Sequence, residues 1–358
     1  MPEIFGQSLS PEDLARRVGR IDQVAGARPF VFDEGPARGM RGIDVWTGSG
    51  LAFTVLPDRC LDILTARFAG RPIAWESAVG PVAPERYDPE GFRWLRSFGG
   101  GLLTTCGLRH FGAPDAEGGE AWGLHGRASN LSATHVAVDC GWDGDAYRIA
   151  VRGQVDEAEV FKPTLRLARA IETALGSQRL TVRDRVTNLG HATSTAMLLY
   201  HVNLGWPLVS EDSRLLVACD SIRGVTDEAQ AAVDRHREFQ PPTEGFSEHT
   251  YEIEPKRYAD GTCRAALVNP ALGHGLAVSL TWDKDALPYM AEWKMMGQGT
   301  YVVGMEPTVC PFPPREGLRE RGLMPELEPG QARETAVTIA VHAGREALEQ
   351  VTRWIEEA

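Results

Sequence analysis

From about residue 40 onward, apolar side chains recur at every second position, the period of a strand with one face on a core. Gly42–Trp46 and Leu51–Leu56 flank Thr47-Gly48-Ser49-Gly50, a hairpin signal, and Arg67–Ile73 reads as another tight reversal. The alternation is clearest between Thr134 and Val186. There His135–Val138 and Tyr147–Val151 flank Gly141–Asp145, and Leu165–Thr173 and Leu180–Val186 flank Gly176-Ser177. Leu167, Ile171, Leu180, Val182 and Val186 are expected on a core, with Arg169, Glu172, Arg183 and Asp184 as polar partners. Leu215–Ala218, Arg264–Val268, Leu276–Thr281, Tyr301–Met305 and Thr335–Val341 extend the pattern. A helical period is confined to the two ends. Ser10-Pro11-Glu12-Asp13 is a helix start that places Leu14, Val18, Ile21 and Val24 on one face, and Glu346–Glu356 does the same for Leu348, Val351 and Ile355. Pro81–Trp94, rich in Pro, Gly and charge, reads as a surface loop or broken helix.

Short strands with almost no helix between them exclude a βαβ plan and predict an all-β fold, a β-sandwich or related double-sheet architecture. No linker, fixed repeat or low-complexity segment divides the chain. Residues 1–358 are therefore expected as a single domain, with 1–25 as an N-terminal helical extension and 345–358 as a C-terminal helix.

Composition narrows the class of partner. The 37 basic residues are outnumbered by 49 acidic ones, a net charge of −12, which argues against nucleic acid and anionic membrane. Residues 1–25 lack the apolar stretch of a secretory signal, and no run is long enough to span a bilayer. Six cysteines lie far apart with no CxxC, which fits reduced thiols, so a cytoplasmic location is expected.

Chemistry-bearing residues collect at a few places. In TAMLLYHVNLGWP an apolar run delivers His201 to the end of an expected strand, which Gly205 and Pro207 stop. Asn203, two residues on, would share its face. In TYVVGMEP the strand Tyr301–Met305 is followed directly by Glu306 and ended by Pro307. A carboxylate so close to a core is costly unless wet, paired or working. An imidazole and a carboxyl presented this way can move two protons in concert.

Trp122-Gly123-Leu124-His125-Gly126 brackets a third imidazole with glycines, and Arg127 and Asn130 add donors nearby. Arg59, in Pro57–Asp62, offers a planar fork suited to a polyhydroxyl ligand, and Arg109 and His110 stand at the polar tip of a glycine-rich approach, Phe98–His110. Three consecutive glycines there lack the GKS/T of a phosphate loop. Trp293 beside Lys294 offers an aromatic platform for a pyranose face. Glu211 and Asp212 read as solvated loop acids.

The segments LPDRCLDI, GGGLLTTCGL, GLHGRASN, DRVTNLG, YHVNLGWPL and VVGMEPTVCPF, in that order and spacing, resemble the aldose 1-epimerase (galactose mutarotase) family. In particular they resemble its bacterial branch of related proteins of unknown function, over residues 41–342. The resemblance implies a large antiparallel β-supersandwich with a sugar cleft across one sheet. It further implies Glu306 as general base and His201 as general acid in the interconversion of sugar anomers, with His125 and Arg59 orienting the sugar. Arg109, Asn203, Trp293 and Lys294 complete the expected substrate contacts. No metal or other cofactor is expected. The expected partner is a small-molecule sugar, and a homodimer is allowed for. Val202 and Leu204 replace the proline-aromatic part of the family's histidine motif, and its hydroxyl-binding aspartate has no secure counterpart. Three alternatives remain. The same acid/base pair would serve an epimerase or a β-eliminating lyase on a modified or keto-sugar, with or without a metal on His125, His201 and Glu306. The scaffold would also serve a non-catalytic carbohydrate-binding protein.

Overall fold

Eight strands form the largest sheet of the computed structural model, which describes residues 2–312 and 314–357. In spatial order they are Thr134–Asp143, Ala146–Glu157, Leu165–Ala174, Arg179–Asn188, Ala332–Ala343, Leu276–Asp283, Thr262–Asn269 and Arg214–Val217, every pair antiparallel. A second, six-stranded antiparallel sheet carries the chemistry. Its order is Cys219–Gly224, His249–Pro255, Tyr289–Gly297, Thr300–Thr308, Met197–Gly205 and Thr104–Leu108. A five-stranded sheet is built from Gly26–Val31, Arg41–Trp46, Leu51–Leu56, Asp62–Phe68 and Arg71–Pro72. The all-β expectation holds, with helices short and peripheral.

Alternation explains the layers. In Met197–Gly205 the side chains of Tyr200, Val202 and Leu204 face the eight-stranded sheet, and the Tyr200 hydroxyl donates to Asp184 Oδ2 at 2.7 Å. His201 and Asn203, at the positions between, face the other way. All three sheets feed one hydrophobic core, in which Ile63, Val155, Leu167, Val182, Val202, Leu280 and Met305 are buried.

The same alternation overturns the polar assignment of Arg169 and Asp184. Arg169 lies two residues from both Leu167 and Ile171, and Asp184 two from both Val182 and Val186, so both charges are inside. Arg169 donates to Asp184 Oδ1 and Oδ2 at 2.8 and 2.6 Å, to Thr105 Oγ1 at 2.7 Å and to the Cys60 carbonyl at 3.1 Å. Its guanidinium also lies 3.3 Å from Asp62. The cluster thereby draws on all three sheets and leaves no charge alone.

Other boundaries shift. The N-terminal helix stops at Ala15, and a separate 3-10 turn, Ile21–Gln23, follows Gly19-Arg20, so the expected face of Leu14, Val18, Ile21 and Val24 is not one helix. The hairpin strands Thr134–Asp143 and Ala146–Glu157 run closer to their turn than their glycines suggest. The C-terminal helix, Arg345–Glu356, buries Leu348, Val351 and Ile355 as its period requires. Among the described residues no helix is long and apolar enough to cross a membrane.

Candidate functional site

Two adjacent strands of the six-stranded sheet bring His201 and Glu306 together. Leu199 pairs with Thr308 and Val202 with Met305, so the register between them sets His201 opposite Glu306. Neither residue ends a strand. Met197–Gly205 and Thr300–Thr308 run past both, and Pro307 lies inside its strand instead of stopping it. His201 Nδ1 lies 3.3 Å from Glu306 Oε1. His201 is 4% exposed and Glu306 2%. Despite the short distance the two atoms are not aligned as donor and acceptor, and each lacks a hydrogen-bond partner in the protein. Buried polar atoms left open in this way are rare and usually await a water or a ligand.

What they open into is a cavity of about 320 Å³ over the outer face of the sheet. Its polar side chains are His125, His201, Thr226, Glu248, Thr250 and Glu306. Aromatic rings form much of the wall. Phe98 and Trp293 approach the His201 ring with centroids 5.5 and 5.3 Å away, and Trp94 stacks on Phe98 at 4.4 Å. His125 stands 5.5 Å from His201, edge to face, and its Nδ1 accepts a hydrogen bond from the Gly112 N–H at 3.4 Å, which leaves the proton on Nε2. The His125 backbone adopts φ +59°, a left-handed conformation uncommon outside glycine. Gly126 beside it is required by space, because a Cβ there would meet the carbonyls of His110 and Gly107.

Gly304 decides where the carboxyl lies. It sits two residues before Glu306 on the same face, opposite Trp293, and a Cβ at this position would collide with the Glu306 carboxyl and lie 3.1 Å from Trp293 Cβ. Gly304→Ala is therefore expected to push the carboxyl off its place. A misplacement on the ångström scale costs a positioned group roughly 10²-fold in rate. The check is turnover measured beside the melting curve: full activity in a folded variant would show that the carboxyl position is immaterial.

Electrostatics follow from the dry walls. Burial lowers the His201 imidazole to about 4, with the Asn203 carboxamide beside it acting in the opposite direction. Burial holds the Glu306 carboxyl well above the usual carboxylate range, and the Glu248 charge adds to the rise. Burial likewise keeps His125 well below the ordinary imidazole value, reinforced by His201 and His110. Both shifts favour the uncharged form of the pair, an unprotonated imidazole beside a protonated carboxyl.

Of the expected contacts, His125, His201, Trp293 and Glu306 meet at the cavity, and four others do not line it. Arg59 is buried elsewhere and donates to the carbonyls of Val82 at 2.8 Å, Ser97 at 3.1 Å and Ser129. It clamps the segments that carry Trp94, Phe98 and His125 and has no free fork for a sugar. Arg109 is bidentate to Glu120 at 2.6 and 2.8 Å. Lys294 alternates with Trp293 onto the opposite face, where its ammonium donates to the Glu238 carbonyl. Asn203, two residues on from His201 in the same strand, turns its amide to backbone, donating to the carbonyls of Gly101 at 3.0 Å and His201 at 3.1 Å. Among the described residues, no group of three or more His, Cys, Asp or Glu side chains is arranged to hold a metal ion.

The sequence reading missed Glu248, whose Oε2 accepts from Trp293 Nε1 at 2.8 Å, and the aromatic wall of Trp94, Phe98 and Phe312. The i, i+4 spacing of Trp94 and Phe98 was the available signal; Glu248 carries none.

A family model described as Domain of unknown function (DUF4432) matches residues 37–341. The chain belongs to that family. No curated protein matches this DUF4432 chain in sequence. Solved structures do match. A crystal structure of a "putative aldose 1-epimerase" from Klebsiella pneumoniae is 26% identical with a TM-score of 0.88, over 94% of this chain and 90% of that one. A galactose mutarotase-like protein from Clostridium acetobutylicum is 14% identical with a TM-score of 0.60, over 89% and 99%. A galactose 1-epimerase from Lactobacillus acidophilus is 13% identical with a TM-score of 0.57, over 90% and 100%. The last two establish the shared fold alone: this DUF4432 chain has a galactose mutarotase-like β-sandwich.

Proposed function

We propose that the protein is an aldose 1-epimerase-like isomerase that interconverts sugar anomers with His201 and Glu306. The observation that carries this reading is the open pair of buried atoms, Nδ1 and Oε1, 3.3 Å apart in a cavity floor. Anomerisation needs one proton taken from the O1 hydroxyl and one given to the ring oxygen, two atoms borne by the same carbon. Groups in contact with each other suit two oxygens so placed, with the ring lying above the pair. The C1–O5 bond breaks to the open-chain aldehyde, the C1–C2 bond rotates, and the same groups return the protons to close the other anomer.

The pair needs one proton between its two members. An ionised Glu306 beside a protonated His201 has the same proton count as the uncharged pair, and one turnover passes through both. The uncharged resting form makes His201 the first base and Glu306 the first acid, and reclosure exchanges the roles. This reverses the order that the resemblance implies while keeping the same two residues. Likeness of fold to proteins named as aldose epimerases, one of them 26% identical, supports the reaction class.

The proton count predicts the pH dependence. Turnover is expected between about 4, where His201 takes up a second proton, and the raised value at which Glu306 loses the only one. The acid limb should therefore fall near 4 and not at 6.5, where an imidazole in water titrates. A profile of kcat/KM by polarimetry or NMR exchange measures it, and an acid limb at 6.5 would place His201 in water, outside this mechanism. Carrying out the reaction in D₂O separates anomerisation, which leaves every C–H bond intact, from epimerisation at carbon or elimination, which do not.

A further inference from the structure

We propose that the cavity is built for an uncharged 6-deoxy aldose, a sugar with a methyl group where an aldohexose carries its sixth hydroxyl. The proposal rests on the anomerase reading, and it comes from matching hydroxyls to partners. In that reading O1 and O5 lie over His201 and Glu306. The polar side chains left around them are His125, Thr226, Glu248 and Thr250. Three of these four are partly spent, for His125 Nδ1 accepts from Gly112 N, Thr226 Oγ1 caps a short helix by accepting from Ala229 N at 3.2 Å, and Glu248 holds Trp293 Nε1.

Such a set serves hydroxyls on C2, C3 and C4 and has nothing left for a fourth. The remaining side chains of the wall are aromatic or aliphatic. Trp293 and Trp94 commit their indole N–H groups to Glu248 and to Ser129 Oγ, so both present only ring faces. Phe98, Leu124 and Phe312 have no polar atom to offer, and the Gly112 carbonyl is taken by the His125 N–H. The mouth continues the pattern, with Phe92 61% and Leu95 49% exposed. A hydroxyl on C6 would be buried without a partner against this wall, whereas a methyl group gains contact.

Charge excludes the anionic relatives of these sugars. Among the described residues no lysine or arginine lines the cavity, while two carboxyl groups do. Arg59, Arg109 and Lys294, the cations expected to contact the sugar, are all spent on carbonyls or on Glu120, and Arg93, between the lining residues Phe92 and Trp94, is spent on Asp88 and Glu90. A phosphate, sulfonate or uronate group would meet Glu248 and no counter-charge.

The test uses the full chain and matched sugars: galactose against 6-deoxygalactose, glucose against 6-deoxyglucose, with glucose 6-phosphate and glucuronate as anions. Anomerisation is followed by NMR exchange and binding by saturation transfer. The expected result is a kcat/KM for each 6-deoxy sugar at least about tenfold above its parent hexose, the scale on which an apolar pocket discriminates a single group, with no acceleration of either anion. Hexoses equal to or better than their deoxy partners, or an accelerated anion, would overturn the proposal and leave the anomerase reading standing. If no sugar is accelerated, the anomerase reading falls, and the binding arm still decides. Preferential saturation of the 6-deoxy sugars supports this ligand class, and equal or absent saturation ends it.

Discussion

Glu306→Gln is expected to slow anomerisation by roughly 10²–10⁴-fold, the usual contribution of a positioned proton carrier. Gln keeps the shape of the side chain and the space that Gly304 leaves for it, so the loss reports the proton alone. The same substitution has a signature in stability. The folded-state value of Glu306 lies above its unfolded one, so its contribution to stability is complete below the ordinary carboxyl value and is lost as pH rises through the folded value. The variant has no such loss. Wild type and variant should therefore melt alike near pH 4, and the variant should gain on the wild type as pH rises. Unchanged turnover in a folded Glu306→Gln protein would remove this residue from the reaction.

His201 and Glu306 were legible in the sequence because each stands in an apolar run that has no need of it. What their strands do around them was not. Pro307 reads as a stop signal, yet its strand continues to Thr308; Gly205 does end the other strand, but four residues beyond His201. The contact between the two residues depends on the register Leu199–Thr308, a pairing across more than a hundred residues that alternation cannot reveal. Arg59 and Arg109 show the opposite failure. Arg59 reads as a sugar contact for its planar fork and Arg109 for its place at a polar tip, and the fold spends both guanidinium groups, one on carbonyls and one on Glu120. Lys294 was tied to Trp293 by adjacency, but neighbours in a strand face opposite sides, so only one of the two could reach the site. Glu248 and Thr226 come from the excursion between Gly224 and His249, which has no period to read and is placed by tertiary contacts such as Lys294 to the Glu238 carbonyl.

The largest loss of stability is expected from Arg169→Met. Arg169 was legible as a polar residue, but its position two residues from Leu167 and Ile171 shows where it goes. It lies between the sheets, holding Asp184 with both ends of its fork and reaching Thr105, Asp62 and the Cys60 carbonyl with the rest. Methionine fills a similar volume yet leaves Asp184 and Asp62 buried without their cation, a change that costs about 3–5 kcal/mol in such settings. Urea unfolding should show the midpoint falling with an unchanged slope. A loss below about 1 kcal/mol would mean that water reaches the cluster, as at a surface pair. Asp184→Asn in the Arg169→Met background should recover part of the loss, because the two residues form one network and their effects do not add. The consequence reaches the site, since Asp184 also receives the Tyr200 hydroxyl. Tyr200 precedes His201 on the same strand and points the opposite way, so the cluster that ties the sheets together also fixes the strand on which the imidazole stands. Arg169→Met is accordingly expected to lower turnover at temperatures where the variant remains folded, with the acid limb near pH 4 retained.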